Sequence, residues 1–304
     1  MKKVSVILTT YNSEDQLEEV INSINNQEGR GELFEIELLV VDDCSIDNTK
    51  SILLKNNIDF QLTNHNTGGP NHGRNLALKQ CSGEYICVAD HDDIWLPNRI
   101  KKLLEVCHLA PIVTSGYILS DNSSLKKVAR VSKAKGFNGY LIYEKNKIFL
   151  RKLAKSKSGQ QAYLGSILFH FSLKKILFEE EFGMIDFDWI LKLFHNKTSV
   201  EVCSALYLRK VEGDNLSLNE QYRINDYYYS LKTISVYKNE YSAAVISAEK
   251  RINGSLGRYY YLIGNMKLAR KYLFKSTIEL KTILYLITTF VGSKFVKRYF
   301  KIFG

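Results

Sequence analysis

Proline is scarce in this chain, three in 304 residues, and no Ser/Gly-rich stretch separates one part from another. A chain so poor in breakers and linkers reads as compact, without a long disordered segment. Cysteine pairing is missing as well. The five cysteines, Cys44, Cys81, Cys87, Cys107 and Cys203, are odd in number and scattered, with no C-x-x-C spacing. That argues against a disulfide framework and a zinc site, and fits a reducing compartment. The chain starts Met1-Lys2-Lys3 and runs straight into the short apolar stretch Val4–Leu8. This has neither the length nor the cleavage pattern of a signal peptide. Near the other end, Thr282–Ser293 is uncharged but only twelve residues long. A spanning helix needs ~20 apolar residues, so no transmembrane helix is expected.

Acid is nearly absent from the C-terminal part. Arg251 to Gly304 holds eleven Lys/Arg and one acid, Glu279, whereas residues 1–250 balance at 31 basic and 31 acidic. The whole net charge of +10 therefore sits in the last 54 residues. A basic tail suits nucleic acid. This one, however, intersperses Phe290, Phe295, Tyr299, Phe300 and Phe303 with Lys294, Lys297, Arg298 and Lys301. Such a mixture favours an anionic membrane surface, with the segment lying amphipathically on it, and no nucleic acid. The bland alternative is a helix docked on the protein's own surface.

What is present is a core. Apolar residues make up 45% of the chain, enough for one large domain or two smaller ones. The pattern predicts a strand over Val4–Thr10, then a helix capped by Ser13 through Gln27 with Leu17, Val20, Ile21 and Ile24 on one face. Next come a strand at Glu35–Val41, a helix from Ser45 or Asp47 to Lys55, and a strand at Ile58–Leu62. A Gly68-Gly69-Pro70 turn leads into a helix at Arg74–Gln80, followed by a strand at Glu84–Ala89. This alternation argues for an α/β fold with a parallel sheet and right-handed crossovers. Further on, a helix is expected at Pro97–Cys107, a strand at Ile112–Leu119, a polar surface excursion over 120–140 and a helix over 142–154. Then follow a strand at Gly165–His170, a helix at Phe187–His195, a strand at Val200–Lys210 and only helices after Asn219. The break at Gly264 within Leu256–Leu273 looks like one helical repeat unit; one unit is no array, so two packed helices are expected. The domain boundary is placed between 218 and 219.

Ligands of such sheets gather at the carboxyl ends of the strands. The predicted ends carry Thr9–Asn12, Asp42–Asp43, Asn64–Asn66 and Asp90–Asp93. In the last of these, Asp90-His91-Asp92-Asp93, three carboxylates share four positions. They repel one another unless exposed, paired with bases or neutralised by a cation. Oxygen ligands suit a hard ion, Mg2+ or Mn2+, which keeps positions open for a substrate phosphate. The residues alone therefore leave two readings, a metal–diphosphate site or a solvated acidic turn.

Five segments in order resemble the inverting glycosyltransferases of family 2, which have the GT-A fold: Val4–Asn12, ending Thr10-Tyr11-Asn12; Val40–Asp47, containing Asp42-Asp43; Asn66–Asn75, ending Arg74-Asn75; Asp90–Trp95; and Ile185–Lys192. The departures are Thr9 where proline is usual, Cys44 where glycine is common and Ile185 for a usual glutamate. The resemblance covers roughly 4–217. It implies a GT-A domain over 1–218, a mostly parallel Rossmann-like sheet flanked by helices, with a helical C-terminal extension over 219–304. It implies a nucleotide-sugar site of Thr9, Tyr11, Asp42, Asp43, Arg74, Asp90, His91 and Asp92. There Tyr11 would stack on uracil, Asp43 accept from the uracil N–H, and Arg74 meet the diphosphate or an aspartate. Asp92 would be the direct ligand of Mn2+ or Mg2+, Asp90 a ribose or second metal partner, and Asp93 a support to either. His91, the variable middle position, would contact the donor sugar or nothing.

By the same resemblance Asp186 is the general base that takes the acceptor's proton, with Asp188 its rival. On a helix the two point about 200° apart, so only one faces the site; both also suit the first turn of a helix for its dipole alone. Gly165-Ser166 would line the acceptor pocket, and Arg209 and Lys210 reach a diphosphate. The implied partners are a UDP-sugar donor and a polyprenyl-diphosphate-linked sugar acceptor. The implied setting is bacterial surface polysaccharide assembly, O-antigen or capsule, peripheral on the cytoplasmic face of the inner membrane. Two other readings compete. A nucleotidyltransferase acting on sugar phosphates would carry a Gly-rich basic loop, and Thr9–Gln16 has no glycine and no lysine. A non-catalytic nucleotide-sugar or nucleic-acid binding protein would need no base such as Asp186.

Overall fold

The computed structural model describes residues 1–121, 126–133, 139–154, 162–211 and 219–291. The chain divides into two compact units, 1–152 with 157–213, and 153–156 with 214–304.

The first unit is built on one sheet. Strands β1 (Lys2–Thr10), β2 (Phe34–Asp42), β3 (Phe60–Leu62) and β4 (Tyr85–Ala89) run parallel in the order β3-β2-β1-β4. In β1 every residue from Val4 to Thr10 is buried, as a parallel strand covered on both faces requires. The crossovers carry α1 (Leu17–Asn25), α2 (Thr49–Lys55) and α3 (Asn71–Gln80). Helix α1 buries Leu17, Val20, Ile21 and Ile24, the stripe expected of it. Its start differs from expectation. Ser13 is not its cap: the Ser13 hydroxyl bonds the Tyr11 carbonyl and its own carbonyl receives Leu17 N–H, closing a turn before the helix. Helix α2 also starts later than expected, because Ser45 is engaged with Asp42 and the Asp47 carboxylate accepts from Thr49 N–H at 3.0 Å.

Beyond β4 the sheet turns mixed. It continues β4-β9-β6-β10-β5, with β5 at Asp93–Trp95, β6 at Ile112–Asp121, β9 at Leu168–His170 and β10 at Ser199–Val211. Only β6 and β10 pair in parallel here. Three residues give β5 too little pattern to be seen in the sequence; its pairing with β10, Arg209 opposite Asp93, creates it. Of the excursion expected over 120–140, Lys126–Arg130 forms β7, a hairpin partner of β6, and Tyr140–Tyr143 forms β8 on β10. The helices on this half are α4 (Arg99–Val106), α5 (Lys147–Ala154) and α6 (Phe187–Phe194).

The second unit is helical: α7 (Glu220–Ser235), α8 (Ser242–Ile263), α9 (Met266–Leu273) and α10 (Leu280–Thr288). Asn219 and Asn265 accept from Tyr222 N–H and Leu268 N–H at the starts of α7 and α9. Gly264, at φ 93°, stops α8 and lets α9 fold back on it, the two packed helices expected. The core between them is rich in tyrosine, Tyr259, Tyr260, Tyr261 and Tyr285 with Leu256, Ala269 and Leu273. Among the described residues no helix is long and apolar enough to cross a membrane.

Candidate functional site

The carboxyl ends of β1 and β2 are laced together by short polar side chains. Asn12 takes φ 46° and Cys44 φ 61°, the left-handed region that glycine enters most easily. Asn12 offsets this by accepting Ile46 N–H on its side chain, while its own N–H bonds the Ser45 hydroxyl. The Cys44 thiol donates to the Thr63 carbonyl at 2.9 Å. This rigid loop pair leaves the Tyr11 ring 44% exposed, whereas Thr9 beneath it is buried and packs on Gly73.

The two aspartates that follow β2 have different surroundings. Asp42 is 0% exposed, and its oxygens accept from the Thr10 hydroxyl, the Ser45 hydroxyl and Ser45 N–H. Expected in the nucleotide site, it is here a buried group that holds the loop. Asp43 accepts from the Thr63 hydroxyl and from Thr67 through both N–H and hydroxyl. The Thr67 N–H reaches both oxygens, so each carboxylate oxygen accepts two contacts from the loop.

Arg74 lies on α3 with its guanidinium buried, bonded to Asp90 at 2.8 Å and to the Asn71 side-chain oxygen at 3.0 Å. Asn71 in turn donates to the carbonyl of Ile185, the residue before Asp186. Asn75 bonds both the N–H and the carbonyl of Phe178. One hydrogen-bonded chain thus runs from the acidic turn after β4, through α3, to the segment that precedes α6.

That segment is shaped by a buried glutamate on its N-terminal side. Glu179 is buried, and its carboxylate accepts from the N–H groups of Phe182, Gly183, Met184 and Ile185 and from Asn71. Gly183 takes φ 72°, and a Cβ on Gly69 would sit 2.3 Å from the Gly183 carbonyl, so both glycines are required where the two loops touch. Its signal in the sequence was an acidic run, Glu179-Glu180-Glu181, beside an apolar stretch. Glu179→Gln turns an amide N–H₂ toward these donors. It should lower the free energy of unfolding by about 2–4 kcal/mol; a shift of the urea midpoint at unchanged slope measures it.

Asp186 stands at the cap position of α6, partly exposed, with no hydrogen bond from its side chain to the helix N–H groups. Asp188 is buried and its carboxylate lies 2.6 Å from the Lys192 ammonium.

Beneath the acidic turn lies a cationic and aromatic floor. Arg99 is fully buried on α4, its guanidinium 4.7 Å from the Trp95 ring centroid, 5.2 Å from that of Tyr207, and bonded to the Gly165 carbonyl. Arg209 stands 4.9 Å from the Tyr163 ring. Asp93 is buried here, and a Cβ on Gly165 would meet its carboxylate at 2.7 Å. Burial, then Asp90 and Asp92, push its carboxyl well above the usual range, while Arg209 and Arg99 pull it back. Asp93, expected as a support to the metal, is an interior group. Gly165 and Ser166, expected to line an acceptor pocket, are buried, and Gly165 gives room to Asp93 and Tyr207. Lys210, expected to reach a diphosphate, is paired with Glu19 at 2.8 Å. Arg99 was legible only as a charge on the otherwise apolar face of α4. Residues 212–217, part of the segment expected to close the site, and the tail residues Lys294, Phe295, Lys297, Arg298, Tyr299, Phe300, Lys301 and Phe303 lie outside the described residues.

Among the described residues no three His, Cys, Asp or Glu side chains stand together as an ion cage. Asp90 is committed to Arg74 and His91 is exposed. Burial first and Asp90 next push the Asp92 carboxyl up, so its negative charge is costly unless a cation arrives. These residues do not fit an ion held by the protein alone. Asp92 is the residue that would hold a divalent ion, which would supply neutralising charge there.

Comparison with known proteins agrees with this architecture. The family model described as Glycosyl transferase family 2 matches residues 5–176. TarS of Staphylococcus aureus, a poly(ribitol-phosphate) beta-N-acetylglucosaminyltransferase, is 43% identical over 97 residues, which span 31% of this chain but only 17% of TarS. A Campylobacter jejuni protein named GalNAc(5)-diNAcBac-PP-undecaprenol beta-1,3-glucosyltransferase is 26% identical over 99% of this chain and 98% of its own length. Among solved structures, TarS 1–349 in complex with UDP-GlcNAc superposes with a TM-score of 0.63 at 19% identity, covering 99% of this chain and 93% of that one. A mannosyltransferase from Pyrobaculum calidifontis in complex with GDP-Man and Mn2+ gives 0.55 at 14% identity, over 98% and 87%. Likeness at such identities speaks for the fold, GT-A.

Proposed function

The chain belongs to glycosyl transferase family 2, and on that premise we propose that it is an inverting, metal-dependent transferase. It moves a hexose or N-acetylhexosamine from a UDP-sugar to a hydroxyl of a polyprenyl-diphosphate-linked saccharide. The Campylobacter relative matched along its whole length, named for a saccharide on undecaprenol, supports that acceptor class. The TarS complex with UDP-GlcNAc supports the donor class. The setting that follows is O-antigen or capsule assembly, at the cytoplasmic face of a bacterial inner membrane.

The observation that carries the reading is the hydrogen-bonded chain Asp90–Arg74–Asn71–Ile185, which ties the acidic turn to the segment bearing Asp186. In this proposal the exposed Tyr11 ring stacks on uracil, and Asp43 accepts the uracil N–H on a carboxylate it shares with Thr63 and Thr67. Asp90, steadied by Arg74, meets the ribose. Asp92 would hold a Mn2+ or Mg2+ ion, which when bound would offset charge gathering on the leaving diphosphate. Asp186 takes the proton from the acceptor hydroxyl as that oxygen bonds to the anomeric carbon; the bond from carbon to UDP oxygen breaks on the opposite face, and the configuration inverts. What favours Asp186 over Asp188 is that Asp188 is buried against Lys192. His91 is exposed beside Asp92 and open to contact with the donor sugar.

A panel of UDP-glucose, UDP-galactose and their N-acetyl forms, with a synthetic lipid-diphosphate sugar acceptor, tests the reading. Transfer from one donor, abolished by EDTA and restored by Mn2+, with a β-linked product from an α-linked donor, is the expected result. A product of retained configuration overturns the role of Asp186, and absence of UDP binding overturns that of Tyr11 and Asp43.

A further inference from the structure

Helix α10 is inverted relative to the usual pattern of a water-soluble unit. It turns Thr282 and Tyr285 inward, and Thr289 just beyond it is buried as well. Polar groups on this side find partners: the Tyr261 hydroxyl donates to the Thr288 hydroxyl at 2.9 Å, and Arg270 donates to the Thr289 carbonyl at 3.1 Å. The apolar residues face out instead. Leu280 is 74% exposed, Ile287 59% and Phe290 72%, with Ile283 and Leu284 exposed between them. Positions 280, 283, 284 and 287 form one stripe of a helix. Phe274 and Ile278, in the approach to the helix, are 70% and 83% exposed. Scattered apolar residues on a surface are ordinary, but a contiguous stripe backed by a polar inner face marks a docking surface.

Charge identifies the occupant. Lys271 on α9, Lys275 between the two helices and Lys281 on α10 are exposed. The chain from Arg251 onward carries eleven bases against the single Glu279, and its sequence continues beyond the stripe into Lys294, Lys297, Arg298 and Lys301. A second copy of this chain would bring like charges together. An anionic bilayer supplies what the surface lacks, acyl chains for the stripe and negative headgroups for the lysines. At nine residues α10 is about 13 Å long, far short of a span and suited to lying in the plane of the interface.

We propose that α10 is a membrane-seating helix. Leu280, Ile283, Leu284, Ile287 and Phe290 enter the headgroup–acyl boundary of an anionic bilayer, with Phe274 and Ile278 beside them and the lysines at the phosphates. The proposal takes its setting from the lipid-linked acceptor reading, but its test reads binding, so either can fail alone. The full chain should sediment with vesicles of mixed phosphatidylglycerol and phosphatidylcholine, and much less with phosphatidylcholine alone. The double variant Ile283→Glu, Ile287→Glu should lose about a hundredfold in partitioning with the same thermal midpoint, the same elution volume and the same transfer to a water-soluble acceptor. Because the native Trp95 and Trp189 are buried, Ile287→Trp adds a clean reporter. Its emission should shift to the blue with mixed vesicles and be quenched by brominated lipid. No sedimentation, sedimentation unchanged in the double variant, or a vesicle-insensitive emission overturns the proposal. A dimer that the double variant splits into monomers assigns the stripe to a second copy instead.

Discussion

Asp186→Asn should abolish turnover while leaving the protein folded and the nucleotide bound. Loss of a positioned general base costs 10²–10⁴-fold, here in kcat with little change in KM for the donor. Asparagine is nearly isosteric and an equally good cap for α6. The Asp186 side chain makes no cap hydrogen bond, so only its charge near the helix dipole is lost, roughly 0.3–1 kcal/mol. A kinetic collapse beside a nearly unchanged unfolding curve is therefore the signature. Asp188→Asn should do the reverse. It strips the buried Asp188 of its charge and of its ion pair with the half-exposed Lys192 and costs stability, while kcat in the surviving folded fraction falls by less than about tenfold. Steady-state kinetics, UDP titration calorimetry and urea unfolding on both variants separate the two. If Asp188→Asn proves the dead enzyme and Asp186→Asn the live one, the base is misassigned.

The parallel half of the sheet was legible because its strands are continuous apolar runs ended by polar residues. Val4–Thr10 and Tyr85–Ala89 are recognisable by burial alone, and Gly264 announces its turn by being the residue that tolerates φ 93°. What escaped is what long-range contact creates. Asp93–Trp95 is a strand only because β10 lies beside it. Ser13 looked like a cap because serine before an apolar stripe usually is one; here its hydroxyl is drawn to the Tyr11 carbonyl.

The site followed the same division. Local chemistry marked Tyr11, Arg74 and Asp90. Local chemistry also marked Asp42, Asp93, Gly165 and Lys210, but their burial and partners in space follow from the fold and not from the local sequence. Glu179 shows the converse. Nothing in one sequence distinguishes it from Glu180 and Glu181, yet four consecutive backbone N–H groups converge on it.

Asp92→Asn should produce the opposite pairing of effects, lower activity with higher stability. As the carboxylate offered to the ion and diphosphate, Asp92 contributes charge that matters as the leaving group departs. Its removal should cost about 10²–10³-fold in kcat/KM and raise the Mn2+ concentration for half-activation. In the ligand-free protein, however, burial and Asp90 hold its carboxyl above the unfolded value. The folded chain then binds a proton more tightly than the unfolded one, and stability falls as pH rises from the unfolded pKa through the folded one. Asparagine carries no such charge. In EDTA the variant should therefore melt above the native protein at pH 7, the gap closing as pH falls toward 4, the ordinary range of an aspartate. Mn2+ with UDP should raise the native midpoint and leave that of the variant nearly unmoved, closing the gap from the other side. Thermal scans across pH, with and without Mn2+ and UDP, read all of this. A variant less stable than the native chain at pH 7 in EDTA would mean that Asp92 is anchored by partners of its own and is not held in reserve for a cation.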